Sequence, residues 1–278
     1  YSIWKNCPHE WYLQYVQKHK SFRPSIHLIF GTSLHQTIQL WLKVMYSQSA
    51  KASDEMHLAH DFHQRFLQEY RKGVLENNKV HFSTKEELKE FYTDGQIILD
   101  FIRKKRRKYF SIRNTELVGI EIPVSSRSLT GSEEVGFYGL IDFILYHKKV
   151  KKYSIYDIKT STRGWSKWDK ADSTKINQIL LYKKAFSLEH KIPEEDVDVT
   201  YFIVKRKIFV HPDYPISRVQ EFRPSNGKKR IKKACEDLES FIKDCFIGAG
   251  IPVEKPYFKN AGDACKFCPF NNDNNLCD

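Results

Sequence analysis

The stretch from Glu121 to Lys159, E-I-P-V-S-S-R-S-L-T-G-S-E-E-V-G-F-Y-G-L-I-D-F-I-L-Y-H-K-K-V-K-K-Y-S-I-Y-D-I-K, decides how the chain is read. It divides into three short strands joined by turns. The second is an apolar run (Leu140, Ile141, Phe143, Ile144, Leu145) interrupted by Asp142. The third leads through Tyr153-Ser154-Ile155-Tyr156 to Asp157 and Lys159. Side chains two apart in a strand share a face, so Asp157 and Lys159 point the same way. Two carboxylates offer hard oxygens to one or two Mg²⁺ ions. Such ions activate a water and neutralise charge developing on a phosphodiester. A neighbouring lysine orients or helps deprotonate that water. The bare D…D-x-K pattern occurs by chance in many chains. Its placement on successive strands raises it above the alternative, a surface ion pair.

The 278 residues suffice for one large domain or two small ones, and 41% hydrophobic with 14% aromatic content can fill a core. The formal charge of +12 favours polyanionic partners, nucleic acid first and anionic membrane second, against a plain lysine-rich solvated surface. No apolar run reaches the roughly 20 residues of a membrane span. The opening Y-S-I-W-K-N-C-P lacks the apolar core of a signal peptide and starts without Met, so further residues are expected in front of it. An intracellular, cytoplasmic chain is expected, with its six cysteines reduced.

The helices follow from apolar spacing. One is expected over Ser2–Val16. A turn at Phe22-Arg23-Pro24-Ser25 follows. A second helix is expected to open at Gly31-Thr32-Ser33, with Leu34, Ile38, Leu42 and Met45 as its stripe. His35 lies beside that stripe, on the side of Gln39 and Leu42, where a lone histidine is most often a surface or satisfied core group. Asp54–Lys72 reads as a third helix, with His57, His60 and His63 on a polar face. Ser83-Thr84-Lys85-Glu86 is a capping-box signature for a fourth. The fourth ends in the basic run Arg103, Lys104, Lys105, Arg106, Arg107, Lys108. Cations suit a helix C-terminus, but six exceed what capping needs, and phosphate contacts are the stronger reading over a localisation signal. In the loop after the third strand, Trp165 and Trp168 alternate with Arg163 and Lys167. Stacked bases and packing onto the core explain the indoles equally well. Asp172-Ser173 opens another helix, with Gln178 and Tyr182 four apart on one face. A strand at Val197–Val204, a hairpin return through Ile208-Phe209-Val210 and a helix over about 227–247 complete the order.

Cys235 and Cys245 fit the apolar face of that last helix. Cys265-x-x-Cys268 and Cys277 sit in a Gly/Pro/Asn-rich tail from Gly248 with no apolar face of its own. Cys7 is a spare that could join them. Four thiolates suit zinc or an iron–sulfur cluster, with disulfides or free thiols as the alternative. Asn226-Gly227-Lys228-Lys229 lacks the upstream glycine and the Ser/Thr of a phosphate loop.

Taken in order, these residues resemble a RecB-like member of the PD-(D/E)XK nuclease superfamily. The resemblance is to the iron–sulfur branch that includes AddB-type nuclease domains and the CRISPR adaptation nucleases. The matching elements are Ser2–Tyr15 around Cys7-Pro8, Phe30-Gly31-Thr32-Ser33-Leu34-His35, Glu121, and Gly139-Leu140-Ile141-Asp142. They continue with Asp157-Ile158-Lys159-Thr160-Ser161, Gln178 to Tyr182, and the C-terminal cysteines. Eight residues separate Cys268 from Cys277, more than the family's pattern has, and an Asn-rich insertion, Asn271–Asn275, absorbs them.

The resemblance implies a restriction-endonuclease-like α/β fold. A mixed central sheet would be flanked by helices, with an N-terminal helical region and a C-terminal cysteine-rich metal-cluster tail. It implies one nuclease domain over 1–278: a mostly helical part at 1–115, the core at 116–247 and the tail at 248–278 joined to Cys7. His35, Asp142, Asp157 and the Ile158 carbonyl would hold Mg²⁺ or Mn²⁺. Lys159 would position water, and Gln178, Tyr182 and Glu121 would support the site. Cys7, Cys265, Cys268 and Cys277 would hold a 4Fe-4S cluster, with Zn²⁺ as the alternative. Arg103, Lys104, Arg106, Arg107, Trp165 and Trp168 are the candidate nucleic-acid contacts. The implied activity is hydrolysis of DNA, acting as an exonuclease on ends or single strands, with a separate helicase or recombination protein as partner. Recombination, phage replication and spacer acquisition all use such domains. The rival is a non-cleaving, metal-stapled nucleic-acid-binding subunit.

Overall fold

A computed structural model of the protein describes residues 1–19, 24–208, 217–248, 250–262, 265, 268–271 and 276–277. In chain order its helices are α1 (Ser2–Asn6), α2 (Pro8–Trp11), a π-helical turn (Tyr12–Val16), α3 (Ile26–Ser47), α4 (Ala50–Asp54), α5 (Leu58–Glu76), α6 (Lys85–Lys104), α7 (Arg106–Tyr109), α8 (Lys167–Ala171), α9 (Ser173–His190) and α10 (Lys228–Cys245). The strands are β1 (Thr115–Ser126), β2 (Phe137–His147), β3 (Lys152–Ser161), β4 (Val197–Lys205), β5 (Val219–Phe222), β6 (Phe246–Ile247) and β7 (Ile251–Pro252). The chain divides into two units. The larger comprises Pro24–Val124 and Gly139–Asn226; the smaller comprises Tyr1–Arg23, Ser125–Tyr138 and Gly227–Asp278.

In the larger unit, β1 to β5 form one mixed sheet in the order β1-β2-β3-β4-β5. β2 and β3 run antiparallel, β3 and β4 parallel, β4 and β5 antiparallel. A parallel neighbour needs a crossover, and α8 with α9 supply it between β3 and β4. The three strands read from the quoted stretch are all present. The mixed sheet flanked by helices is the expected restriction-endonuclease-like arrangement. The core of this unit is aromatic. Trp41, Phe62, Phe66, Phe110, Phe143 and Phe202 are all buried, and Phe143 stacks on Tyr156 across the β2–β3 pair with centroids 4.6 Å apart. Such a pair adds about 0.5–1.5 kcal/mol beyond its buried area.

Several boundaries differ from the sequence reading. The helix expected to open at Gly31 begins five residues earlier, because Ser25 caps it by accepting from the Leu28 amide and Ile26, Ile29 and Phe30 are buried. Gly31 instead marks a close approach. A Cβ there would come within 2.9 Å of Thr160 Oγ1, so glycine lets α3 lie against β3. The helix expected over Asp54–Lys72 is α5, shifted to Leu58–Glu76, and Asp54 closes the short preceding helix α4, which Ser49 caps. The single helix expected over Ser2–Val16 breaks at Cys7, which is extended as the residue before Pro8 must be. Phe22 and Arg23 of the expected turn, and Phe209-Val210 of the expected hairpin return, lie outside the described residues.

In the smaller unit, α1 and α2 meet α10. Trp4 Nε1 donates to Asp244, and Lys5 pairs with Asp237 at 2.7 Å. Trp11 is buried among Phe241, Phe246 and Tyr257. Cys245 is buried, as its place on the apolar face of α10 predicts, while Cys235 is only partly so. Among the described residues no helix is long and apolar enough to cross a membrane.

Candidate active site

The site begins where the β2–β3 ladder ends. Cα pairing runs from His147↔Lys152 to Phe143↔Tyr156 and goes no further. Past that rung the strands part, and the Ile158 amide donates to Asp142 Oδ2 at 2.5 Å. The side chain of Asp142 thus takes the place of a ladder carbonyl. This explains why an acidic residue can interrupt an apolar strand: its oxygen satisfies a backbone donor.

Three further elements converge on the same notch. α3 brings His35, whose Nε2 lies 3.0 Å from Asp142 Oδ2. β1 brings Glu121, which sits at φ 50°, a left-handed conformation that re-aims its side chain. The ligand atoms of His35, Glu121 and Asp142 all lie within 4.8 Å of one another. β3 brings Asp157, 3% exposed. Lys159 Nζ lies 2.9 Å from Asp157 Oδ2, yet that oxygen is buried with no directed hydrogen bond. α9 completes the chain: Lys159 Nζ is 3.4 Å from Gln178 Oε1, and Gln178 donates to Tyr182 Oη at 3.1 Å. Tyr182 packs over Gly139, where a Cβ would come within 2.4 Å of its ring.

Charge in the notch is shifted accordingly. Burial raises the Asp157 carboxyl to about 7. The Lys159 ammonium opposes that shift, and the Asp142 charge adds to it. Burial by itself would lower His35, but its hydrogen bond and charge interaction with Asp142, helped by Glu121, raise it. Lys159 is likewise raised, burial being outweighed by Asp157. A cluster of acids holding protons and cations this tightly is short of positive charge.

The donor set fits a hard divalent cation. Carboxylate oxygens dominate, one imidazole is added, and Asp157 offers a buried carboxylate paired with Lys159 at 2.9 Å. Ile158 is held between Asp157 and Lys159 with its amide engaged by Asp142.

The other sequence candidates fall in different places. Arg106 is 14% exposed in its side chain and forks onto both oxygens of Asp54. Arg103 and Lys104 both pair with Asp100, and Arg107 is exposed. Much of the basic run is therefore used within the fold. The two indoles separate as well. Trp165 packs on Tyr201 and Phe222, its backbone clasped by both ends of the Gln220 amide. Trp168 is 74% exposed, beside Lys167. In the smaller unit, Cys7, Cys265, Cys268 and Cys277 line one cavity of about 280 Å³ together with His9 and Phe270. No three of their sulfurs lie within 4.8 Å of one another.

Gln39 was not singled out from the sequence. It is one helical turn beyond His35, and its amide reaches Glu121, the Asp142 carbonyl and His35. The His-x-x-x-Gln spacing was the available signal, since residues four apart share a helix face.

The sequence profile of the family described as the PD-(D/E)XK nuclease superfamily matches residues 2–273. A crystal structure described as a "Putative exonuclease" from Eubacterium rectale is similar at 12% identity and a TM-score of 0.43, over 81% of this chain and 67% of that one. No curated protein matches in sequence. With a family match over almost its whole length and an acidic, lysine-bearing notch on parting strands, the chain belongs to the PD-(D/E)XK nuclease superfamily.

Proposed function

We propose that the protein is a divalent-metal-dependent deoxyribonuclease that degrades DNA from ends or in single strands. The observation that carries this is the convergence of His35, Glu121 and Asp142 beside the buried Asp157–Lys159 pair. His35, Asp142, Asp157 and the Ile158 carbonyl would hold Mg²⁺ or Mn²⁺, with Glu121 within 4.8 Å of His35 and Asp142 in support. The ion supplies charge neutralisation at the scissile phosphate and a more acidic water. Lys159, fixed between Asp157 and Gln178, orients that water and faces the charge that develops on phosphate. Gln178, hydrogen-bonded to Tyr182, holds Lys159 from the helix side, and the pair would support the site and the nucleic-acid backbone. Trp168, exposed on the first turn of α8 beside Lys167, supports a base-stacking role, while Trp165 anchors the loop that presents it. Of the basic run, the exposed Arg107 supports a phosphate contact.

Cys7, Cys265, Cys268 and Cys277, which line one cavity, would hold a 4Fe-4S cluster, with Zn²⁺ as the alternative. A motor that unwinds duplex would be a separate helicase or recombination protein.

End-labelled single- and double-stranded DNA, incubated with the protein and Mg²⁺ or Mn²⁺, tests the reading. A product ladder shortening from one end is expected. No cleavage, or equal cleavage by Asp157→Ala, would overturn it.

A further inference from the structure

Gln39 is 5% exposed in α3, and its Nε2 faces three groups. Glu121 Oε1 lies at 2.5 Å, the Asp142 carbonyl oxygen at 3.1 Å and His35 Nε2 at 3.2 Å. Chemistry fixes which end of the amide points there. A carboxylate and a carbonyl only accept, so the amino group must face them. It has two hydrogens, and those two acceptors take both. His35 therefore receives none from it, consistent with the His35 Nε2 proton going to Asp142 Oδ2 at 3.0 Å.

The consequence falls on Glu121. This residue sits at φ 50° on the outer side of the notch, and Gln39 is the hydrogen-bond partner of its carboxylate among the described residues. The second hydrogen of the same amide is fixed to the main chain at Asp142. Gln39 thus ties a carboxylate on β1 to the backbone of β2 through one nitrogen. One Glu121 oxygen is occupied by this bond, and a Glu121 carboxylate oxygen lies within 4.8 Å of the His35 and Asp142 ligand atoms. A glutamate at position 39 would reverse this, placing an acceptor against two acceptors.

We propose that Gln39 is a positioning residue that holds Glu121 as a ligand for the divalent cation without touching the cation itself. This rests on the metal-dependent reading above. It assigns Glu121 to direct ligation rather than to distant support.

Mn²⁺ titration of the purified chain by calorimetry, without DNA, tests it alongside thermal melts of the metal-free protein. Gln39→Met keeps the volume and removes both donors. It is expected to weaken Mn²⁺ binding by ~10–100-fold, the range for lost outer partners of metal ligands, with the metal-free melting temperature nearly unchanged. In a Glu121→Ala background the same change should have less than about a twofold further effect, because its object is gone. Cleavage at saturating Mn²⁺ should largely recover, so the loss appears in the metal concentration needed. Should Gln39→Met not fold, Gln39→Asn, one methylene short of Glu121, must show the same loss. Unchanged Mn²⁺ affinity, or an equal loss with and without Glu121, would overturn the proposal while leaving the nuclease reading intact. Failure of the wild-type chain to bind Mn²⁺ would overturn both.

Discussion

The amide of Ile158 donates to Oδ2 of Asp142, 2.5 Å away, at the point where β2 and β3 stop pairing. One hydrogen bond therefore ends a sheet ladder and orients the Asp142 carboxylate, a proposed metal ligand, at once. Asp142→Ala leaves that buried donor unpaired as well as removing a ligand. It should lower the melting temperature by the equivalent of about 1–3 kcal/mol and abolish cleavage. Asp142→Asn, which can still accept from Ile158, should recover most of the stability and none of the activity.

Lys159 and Asp157 separate chemistry from metal binding. Lys159→Met removes a cation 2.9 Å from an acidic oxygen without removing a ligand. Its cleavage should fall by ~10²–10⁴-fold, the range for loss of a group that handles the attacking proton. Its Mn²⁺ affinity should hold or rise. Asp157→Ala should lose both, and calorimetry beside single-turnover cleavage distinguishes the two.

On the proposed ligation, Asp157 should make metal binding pH-dependent. Its carboxyl must ionise to ligate, and burial has raised it to about 7. Mn²⁺ affinity should fall by at least ~tenfold for each unit below about 7, Asp157 giving up one proton per ion and His35, also raised, steepening the fall. The metal-free fold runs the other way. An acid whose folded pKa is raised stabilises the fold below its ordinary 3.8, and loses that contribution as pH rises through about 7. Melts of Asp157→Asn and wild type should therefore diverge across this window, the variant becoming relatively more stable, and then run parallel.

Gly139 is needed for Tyr182. An added Cβ would meet the tyrosine ring at 2.4 Å. Gly139→Ala should cost about 1–3 kcal/mol by overpacking and displace the Gln178–Tyr182 pair. Adding Tyr182→Leu should return the stability but not the cleavage rate.

The two indoles should behave oppositely. Trp165→Ala opens a cavity against Tyr201 and Phe222 and should cost about 3 kcal/mol. Trp168→Ala should leave the melting temperature within a degree or two, but weaken binding of a single-stranded oligonucleotide in anisotropy titrations. The loss of one stacked base is worth about 1–3 kcal/mol.

What the sequence disclosed depended on whether the relevant force was local. Asp142, Asp157 and Lys159 were legible because strand alternation and an interrupted apolar run are local patterns. So was the start of α9, where Asp172 accepts from the Thr174 amide two residues on. His35 was first set aside for the opposite reason. Periodicity shows which helix face is apolar, not which edge meets a parted sheet. Family resemblance recovered it; spacing alone did not. Part of the basic run has partners within the fold: Arg106 forks onto Asp54, 52 residues away and not legible from spacing, while Arg103 and Lys104 pair with Asp100, three and four residues back. The parting of β2 from β3, which makes the notch, has no signature in either strand.

The smaller unit has a consequence for synthesis. It is assembled from three stretches of chain, with Trp4 bound to Asp244 across 240 residues and His9 to the Leu276 carbonyl across 267. Closing such loops is slow and entropically costly. While a ribosome is still extending the chain, α1 and α2 have no partner, so their Trp4 and Trp11 emerge with apolar surface uncovered until α10 follows. Pro24–Val124 is made long before that, and its helices can pack early. The protein should mature in two stages, and the cysteine cavity, built from both ends of the chain, can form only in the second.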